Sequence, residues 1–265
     1  MSPSHKVGKV LAVVSQKGGV GKTTTAVNIA AALARRGNKV LLIDADPQGS
    51  VRFGLGLSAA ATHIGLSDYL AGTAEMHKVV RTTTLPWLRV VASGSVTESP
   101  KHSDYQRLFA ESPRTSELFE RARARGYTVI VDTPPGLGPV VHRALACSQH
   151  VLVPLQCEPL ALQTTTQILR GIRASLAQNP GLALEGILLT MVEAGNPASE
   201  RVAKYVREQL PKGLVLDISI PRTAASVDSF AAGQPVLLRA PDDPAALAYR
   251  ALAEYLAPRL GLKLK

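Results

Sequence analysis

The sequence predicts an α/β fold: a doubly wound, mostly parallel sheet of about seven or eight strands flanked by helices. Three observations carry this. Short apolar, β-rich runs recur along the chain, helix-length segments separate most of them, and no linker of disordered composition interrupts the 265 residues. Alternation of this kind builds a parallel sheet covered on both faces, with right-handed crossovers. Residues 1–265 read as one domain, with 1–8 and 258–265 as flexible termini.

The strands are expected at 10–15 (VLAVVS), 39–44 (KVLLID), 88–93 (LRVVAS), 127–132 (YTVIVD), 150–155 (HVLVPL), 184–190 (LEGILLT) and 214–219 (LVLDIS). Each is rich in aliphatic and β-branched residues, as a strand buried on both faces should be. Helices are expected at 22–36, 115–125, 160–177 and 199–210, the first stopped by Gly37. A final helix has Asp242-Asp243 as cap candidates, Pro244 near its first turn, and Leu247, Leu252, Tyr255 and Leu256 on one side. Between Gly49 and Pro113 the chain is rich in Ser, Thr, Gly and Ala. A helical excursion near 65–80, one strand and a surface loop around SVTESPKHSD are expected there.

Bulk properties narrow the function. Lys and Arg number 30 against 20 Asp and Glu, a net charge of +10 that favours a polyanionic partner. Aromatic residues are only 4% of the chain, so base stacking is a poor route to recognition. Cys147 and Cys157 have neither metal-ligand nor redox spacing and read as buried free thiols. No apolar run reaches the ~18 residues of a membrane span, and the N-terminus lacks a signal-peptide core. A soluble cytoplasmic protein is expected.

Three clusters carry chemistry. Residues 16–25 read QKGGVGKTTT, and Gly21, Lys22 and Thr23 close a phosphate-loop pattern, G-x-x-x-x-G-K-[ST]. Strand, glycine loop and helix arrive in the order that aims the N–H groups of Gly18, Gly19, Val20, Gly21 and the helix start through Thr24 at an anion. The second cluster, VLLIDADPQGS at 40–50, delivers Asp44 and Asp46 to the carboxyl end of a strand, where open parallel sheets bind ligands. Alternate residues of an extended segment share a face, so both carboxylates can address one site. The third, YTVIVDTPPGLG at 127–138, brings Asp132 to a strand end. A carboxylate there suits outer-shell contact with Mg²⁺, and Thr133-Pro134-Pro135-Gly136 forms a stiff turn able to sense a γ-phosphate.

Lys17, just before Gly18-Gly19, adds a second lysine five residues ahead of Lys22. The pattern K-G-G-x-G-K-[ST] resembles the deviant Walker A ATPases: ParA-type partition ATPases, MinD-like division-site proteins and the nitrogenase iron protein. D-x-D-P-Q-G at 44–49 is similar to the ParA-family switch I motif, and D-T-P-P-x-L-G at 132–138 looks more like partition ATPases than MinD-like proteins. IPRTAASVDSFAAGQPV at 220–236 resembles the I-P-R…G-x-P-V segment that lines the adenine pocket, with Pro221 and Arg222 at the base and Asp228 where an acidic residue is frequent. The likeness spans residue 9 to about 256.

That resemblance implies an ATPase using ATP and Mg²⁺. Lys22 binds the phosphates; Thr23, Asp44 and Asp132 serve Mg²⁺; Asp46 orients the attacking water. A homodimer closes around two ATP molecules, and Lys17 of each subunit reaches its partner's phosphates. The dimer binds double-stranded DNA without sequence preference, on the nucleoid, and a ParB-like centromere-binding protein stimulates the hydrolysis that releases it. Chromosome and plasmid cargo both remain open.

Among the relatives, the nitrogenase iron protein needs cysteines flanking the Asp132 strand, and here both lie 15 or more residues beyond it. A MinD-like membrane anchor needs a basic amphipathic C-terminal helix, which LAPRLGLKLK, broken by Pro258 and Gly261, supplies poorly. A MinD-like positioning ATPase stays as the alternative, and a biosynthetic ligase on the same scaffold as a more distant one. DNA-contact candidates are Arg201, Lys204, Arg207, Lys212, Arg222 and Arg239. The helix carrying the first three has Val202, Val206 and Leu210 on its core face, so charge opposite is expected anyway, and Glu200 and Glu208 dilute it. After LLTMVEA, where relatives often place a DNA-contacting arginine, the chain reads GNPAS. A phosphate loop opening at Lys17 leaves no room for an N-terminal helix-turn-helix domain, which points to the short, Soj-like chromosomal type.

Overall fold

The computed structural model describes residues 7–96, 99–158 and 161–263. Eight strands form one sheet: β1 Val10–Val13, β2 Val40–Asp44, β3 Val80–Thr82, β4 Leu88–Val91, β5 Thr128–Asp132, β6 His150–Gln156, β7 Ala183–Val192 and β8 Val215–Pro221. Their order is β3-β4-β2-β5-β1-β6-β7-β8, and all pair in parallel except β3, antiparallel to β4 at one edge. The seven expected strands are all present. Strand β3 was not anticipated: Val80-Arg81-Thr82 has no apolar run to announce it, and its pairing with Arg89–Val91 makes it a strand.

The larger helices are α1 Lys22–Arg35, α6 Ser99–Glu111, α7 Pro113–Ala124, α8 Pro139–Cys147, α9 Ala161–Gln178, α10 Pro197–Gln209, α11 Ala224–Ala231 and α13 Pro244–Arg259. Single turns fill the gaps: α2 Val51–Gly54, α3 Ala59–Thr62, α4 Leu66–Leu70, α5 Met76–Val79 and α12 Val236–Arg239.

Strand residues alternate between two helix layers, the signature of a sheet buried on both faces. Leu11, Val13, Leu42, Ile130, Leu152 and Leu188 meet α1, α12 and α13 on one side. Val10, Leu41, Ile43, Val129 and Val131 face α4, α6, α7 and α8 on the other, where Ala12, Val151 and Val153 meet α8 and α9. Each Val, Leu or Ile side chain so removed from water stabilises the fold by roughly 1.5–3 kcal/mol before entropy is counted.

Several expectations are corrected. The loop around SVTESPKHSD gives way to α6, because Tyr105 and Phe109, one turn apart and both buried, turn a polar stretch into an amphipathic helix; residues 97–98 lie outside the described residues. The excursion near 65–80 is two single turns followed by β3. In α13 the buried face is Tyr249, Leu252, Ala253 and Leu256, while Leu247 is 50% exposed. Residues 1–6 and 264–265 lie outside the described residues, yet neither end is loose where it is described. Gly8 N–H donates to the Arg123 carbonyl at 2.9 Å, and α13 continues through Pro258 to bury Leu260. Cys147 and Cys157 are free thiols, half-buried rather than buried.

Candidate functional site

The carboxyl ends of β1, β2 and β5 lie side by side, and each hands a loop to the same crevice. After β1 the chain turns through Gly18 to Gly21 into α1. Gly19 and Gly21 have φ of 77° and 85°, a left-handed conformation that a side chain would strain. A Cβ on Gly18 or Gly19 would meet nothing within 4 Å, so the loop borders open space at the N-terminus of a 14-residue helix. A strict phosphate-loop pattern would begin with glycine at position 16, where the chain has Gln16; the conformational work falls to Gly19 and Gly21.

Lys22 is buried at the head of α1. Its ammonium donates to Ser15 Oγ at 3.0 Å and to the Lys17 carbonyl at 3.3 Å. Burial pulls its pKa down, opposed by the charges of Asp132 and Asp46. Thr23 Oγ1 donates to Asp132 Oδ2 at 2.7 Å, while Asp132 Oδ1 is buried with no hydrogen-bond partner. Burial pushes the Asp132 carboxyl up to about 7, against the Thr23 hydrogen bond and the Lys22 charge. Asp44, also fully buried, is held well above the usual carboxylate range by burial first and by Asp132 second.

The two aspartates of the β2 loop divide their work. Asp44 Oδ1 accepts from Asp46 N–H at 3.3 Å and Oδ2 from Val51 N–H at 3.1 Å, so Asp44 shapes the turn that carries Asp46. Asp46 is half-buried, with Oδ1 accepting from Gln48 N–H at 2.9 Å. The Thr133–Gly136 turn is tied down at both ends: Thr133 Oγ1 donates to the Val13 carbonyl at 2.8 Å, and Gly136 N–H to the Ser15 carbonyl at 2.9 Å.

Beside the loop lies an apolar cavity of about 390 Å³, lined by Gly21, Thr24, Met191, Pro221, Phe230 and Tyr249 among others. Pro221 and Arg222 border this cavity, whereas Asp228 is exposed on α11 and is not among its lining residues. Met191 has a φ of 55°, strained for a residue with a side chain, at the point where β7 passes the loop. Thr190 Oγ1 donates to the Val20 carbonyl at 2.9 Å, fastening β7 to the loop. Sequence reasoning missed Thr190, Met191, Phe230 and Tyr249, which come from β7, α11 and α13 and share no local pattern.

The basic candidates do not form one surface. Arg201 and Lys204 are exposed on α10, with Lys204 3.8 Å from Glu208. Lys212 is exposed after that helix, but Arg207 turns inward and donates to the Leu216 carbonyl at 3.4 Å. Arg222 pairs with Glu193 at 3.4 Å on the cavity rim. Arg239 ends α12, which packs on α1, α11 and α13 rather than near α10.

A crevice joining a glycine loop, three carboxylates, a buried lysine and an apolar cavity has the layout of a nucleotide site. An AAA-domain family model matches residues 8–183. The chromosome partitioning protein ParA of Caulobacter vibrioides is 41% identical over 233 residues, 87% of this chain and 86% of that protein. The chain belongs to the ParA family of partitioning ATPases. Within that ParA family, the sporulation initiation inhibitor protein Soj of Bacillus subtilis is 34% identical over 256 residues, covering 95% of this chain and 99% of Soj. A solved structure described as the cobyrinic acid a,c-diamide synthase of Mycobacterium smegmatis, with an ATP analogue and magnesium bound, is 31% identical and covers 97% of this chain and 98% of its own, with a TM-score of 0.76.

The site's donors suit a divalent cation. Asp132 Oδ1 has no partner beside the Thr23 hydroxyl, and the charges of Asp132 and Asp46 both act on the buried Lys22 ammonium. Among the described residues no group of three or more His, Cys, Asp or Glu side chains forms a metal site, so the remaining ligands would be waters and phosphate oxygens, as Mg²⁺ prefers.

Proposed function

We propose that the chain is a Mg²⁺-dependent ATPase that pairs around two ATP molecules, binds DNA without sequence preference in the paired state, and leaves it after hydrolysis stimulated by a ParB-like partner. One observation carries the ATPase reading: the unpartnered Asp132 Oδ1 lies beside Thr23 at the head of the glycine loop. Thr23 and Asp132 would hold Mg²⁺, which supplies charge neutralisation at the phosphate oxygens. Lys22 exchanges Ser15 Oγ and the Lys17 carbonyl for phosphate oxygens, and the loop N–H groups hold the rest. The base enters the apolar cavity beneath Tyr249 and Phe230. Asp46, presented by the turn that Asp44 fixes, orients the water and accepts its proton. Lys17 lends its ammonium to the partner's phosphates as charge develops on them.

The cargo reading rests on the similarity to ParA and Soj and on the net charge of +10. It is favoured over membrane binding by the described C-terminal leucines: Leu256 and Leu260 are buried in the core and Leu262 packs against it, so these three are committed to the fold. No described helix is long and apolar enough to cross a membrane. Cytoplasmic, nucleoid-associated localisation follows from that reading. The test is co-sedimentation of the ATP-bound protein with DNA and with anionic liposomes at two salt concentrations. Retention on DNA that falls steeply with salt is expected; retention on liposomes alone overturns the DNA reading in favour of a MinD-like one.

A further inference from the structure

In the free subunit Lys17 is already engaged. Its Nζ lies 2.8 Å from Glu158 Oε1, with the two side chains 40% and 32% exposed. Glu158 lies just past the end of β6, and the lysine rests in a shallow groove against Val153, Leu155 and Ile168. Both ends of this clasp are fixed. Cys157 N–H donates to the Thr190 carbonyl at 3.0 Å, and Thr190 in turn holds the Val20 carbonyl, so the acid and the glycine loop hang from the same strand. On the loop side, the Lys17 carbonyl accepts from Ser15 Oγ at 2.7 Å and from Lys22 Nζ at 3.3 Å.

We infer that Glu158 is a positioning residue that parks Lys17 on its own subunit, and that phosphate binding loosens the clasp by drawing the Lys22 ammonium away from the Lys17 carbonyl. This rests on the pairing reading above and adds its control. A lysine held in cis cannot at the same time extend to a neighbour's phosphates, so each subunit must break one ion pair before the dimer closes. A half-exposed pair is weak, so the clasp raises the protein concentration at which pairing occurs without forbidding it. The order of events is also set: the phosphates free the backbone of Lys17 first, and its side chain leaves second.

The test compares wild type with Glu158→Gln in two measurements. The first is competitive acetylation of Lys17 in the nucleotide-free protein; removing the carboxylate should speed labelling roughly 1.5- to 5-fold. The second is the midpoint of self-association by sedimentation with a non-hydrolysable ATP analogue and Mg²⁺. Two clasps open per dimer, so that midpoint should fall roughly 2- to 30-fold. Glu158→Asp, which keeps the charge, should remain nearer wild type, and Glu158→Ala serves as a second removal if the glutamine variant melts early. Unchanged labelling, or faster labelling with an unmoved midpoint, overturns the clasp while leaving pairing intact. Wild-type protein that does not associate with the analogue overturns the pairing reading itself.

Discussion

Asp44 and Asp132 face each other in register across β2 and β5, both fully buried. Two carboxylates on adjacent strands, with Lys22 the one buried ammonium among the described residues near them, make a site whose resting charge is unfavourable.

The pH dependence of stability follows from that pair. Asp132 rises from 3.8 to about 7 on folding, and Asp44 moves in the same direction. Between those values the folded protein keeps protons that the unfolded chain has released, so stability falls as pH rises through this window. In EDTA without nucleotide, the unfolding free energy from urea curves should be lower near pH 8 than near pH 5.5, by on the order of a few kcal/mol. Excess Mg²⁺ and ATP should remove most of the difference by binding the ionised form. A ligand-free midpoint that climbs with pH across this range would contradict the assignment.

Lys22→Ala should weaken ATP binding by roughly 10- to 100-fold, the loss of charge-assisted bonds to phosphate. The nucleotide-free protein should melt close to wild type, because burial already penalises this ammonium. Equilibrium binding of a fluorescent ATP analogue checks the first point and a thermal scan the second. Wild-type affinity in the variant would remove Lys22 from the phosphate cradle.

Asp46→Ala should lower the hydrolysis rate by about 100-fold or more while leaving ATP affinity nearly unchanged. Its carboxylate accepts from Gln48 N–H within its own turn, so the fold loses little. Single-turnover phosphate release with saturating Mg²⁺-ATP decides the matter. Normal turnover would move the water-orienting role elsewhere.

At the opposite end of the sheet, Glu185 joins His150 at 2.6 Å and Arg259 at 3.0 Å with only 6% of its side chain exposed. Removing Glu185 strands the buried His150, while the half-exposed Arg259 can turn to water. Glu185→Ala should destabilise the fold by ~3 kcal/mol, with nucleotide affinity of the remaining folded protein intact. A chemical denaturation curve overlapping wild type would show the cluster to be dispensable.

The phosphate end of the site was legible because its residues are local. Gly19, Gly21, Lys22 and Thr23 lie in one loop and the helix start it leads into, Asp46 follows a strand and Asp132 closes one, and apolar runs announce both strands. The cavity beside it was legible only in part: the 220–236 segment marked Pro221 and Arg222, but Met191 and Tyr249 are ordinary core-type residues that only the packing of β7 and α13 brings there. Asp228 shows the limit of a motif: its neighbour Val227 lines the cavity, while Asp228 itself is exposed. Glu158 carried no signal at all, since its partner is 141 residues away. Helix α6 was hidden by its polar first turn, and α13 was rotated in the sequence reading because Leu247 outranks Tyr249 on hydropathy while Tyr249 has the cavity to fill.

Tyr249 belongs to α13, yet it lines the base cavity and places its hydroxyl 3.5 Å from Thr25 Oγ1 on α1. The first helix of the chain therefore waits for the last. During synthesis every phosphate ligand leaves the ribosome long before the purine wall exists, so a nascent chain displays the loop without being able to retain nucleotide. A stop between Phe230 and Tyr249 would leave the glycine loop and its aspartates in place but strip the cavity of the wall that α13 supplies.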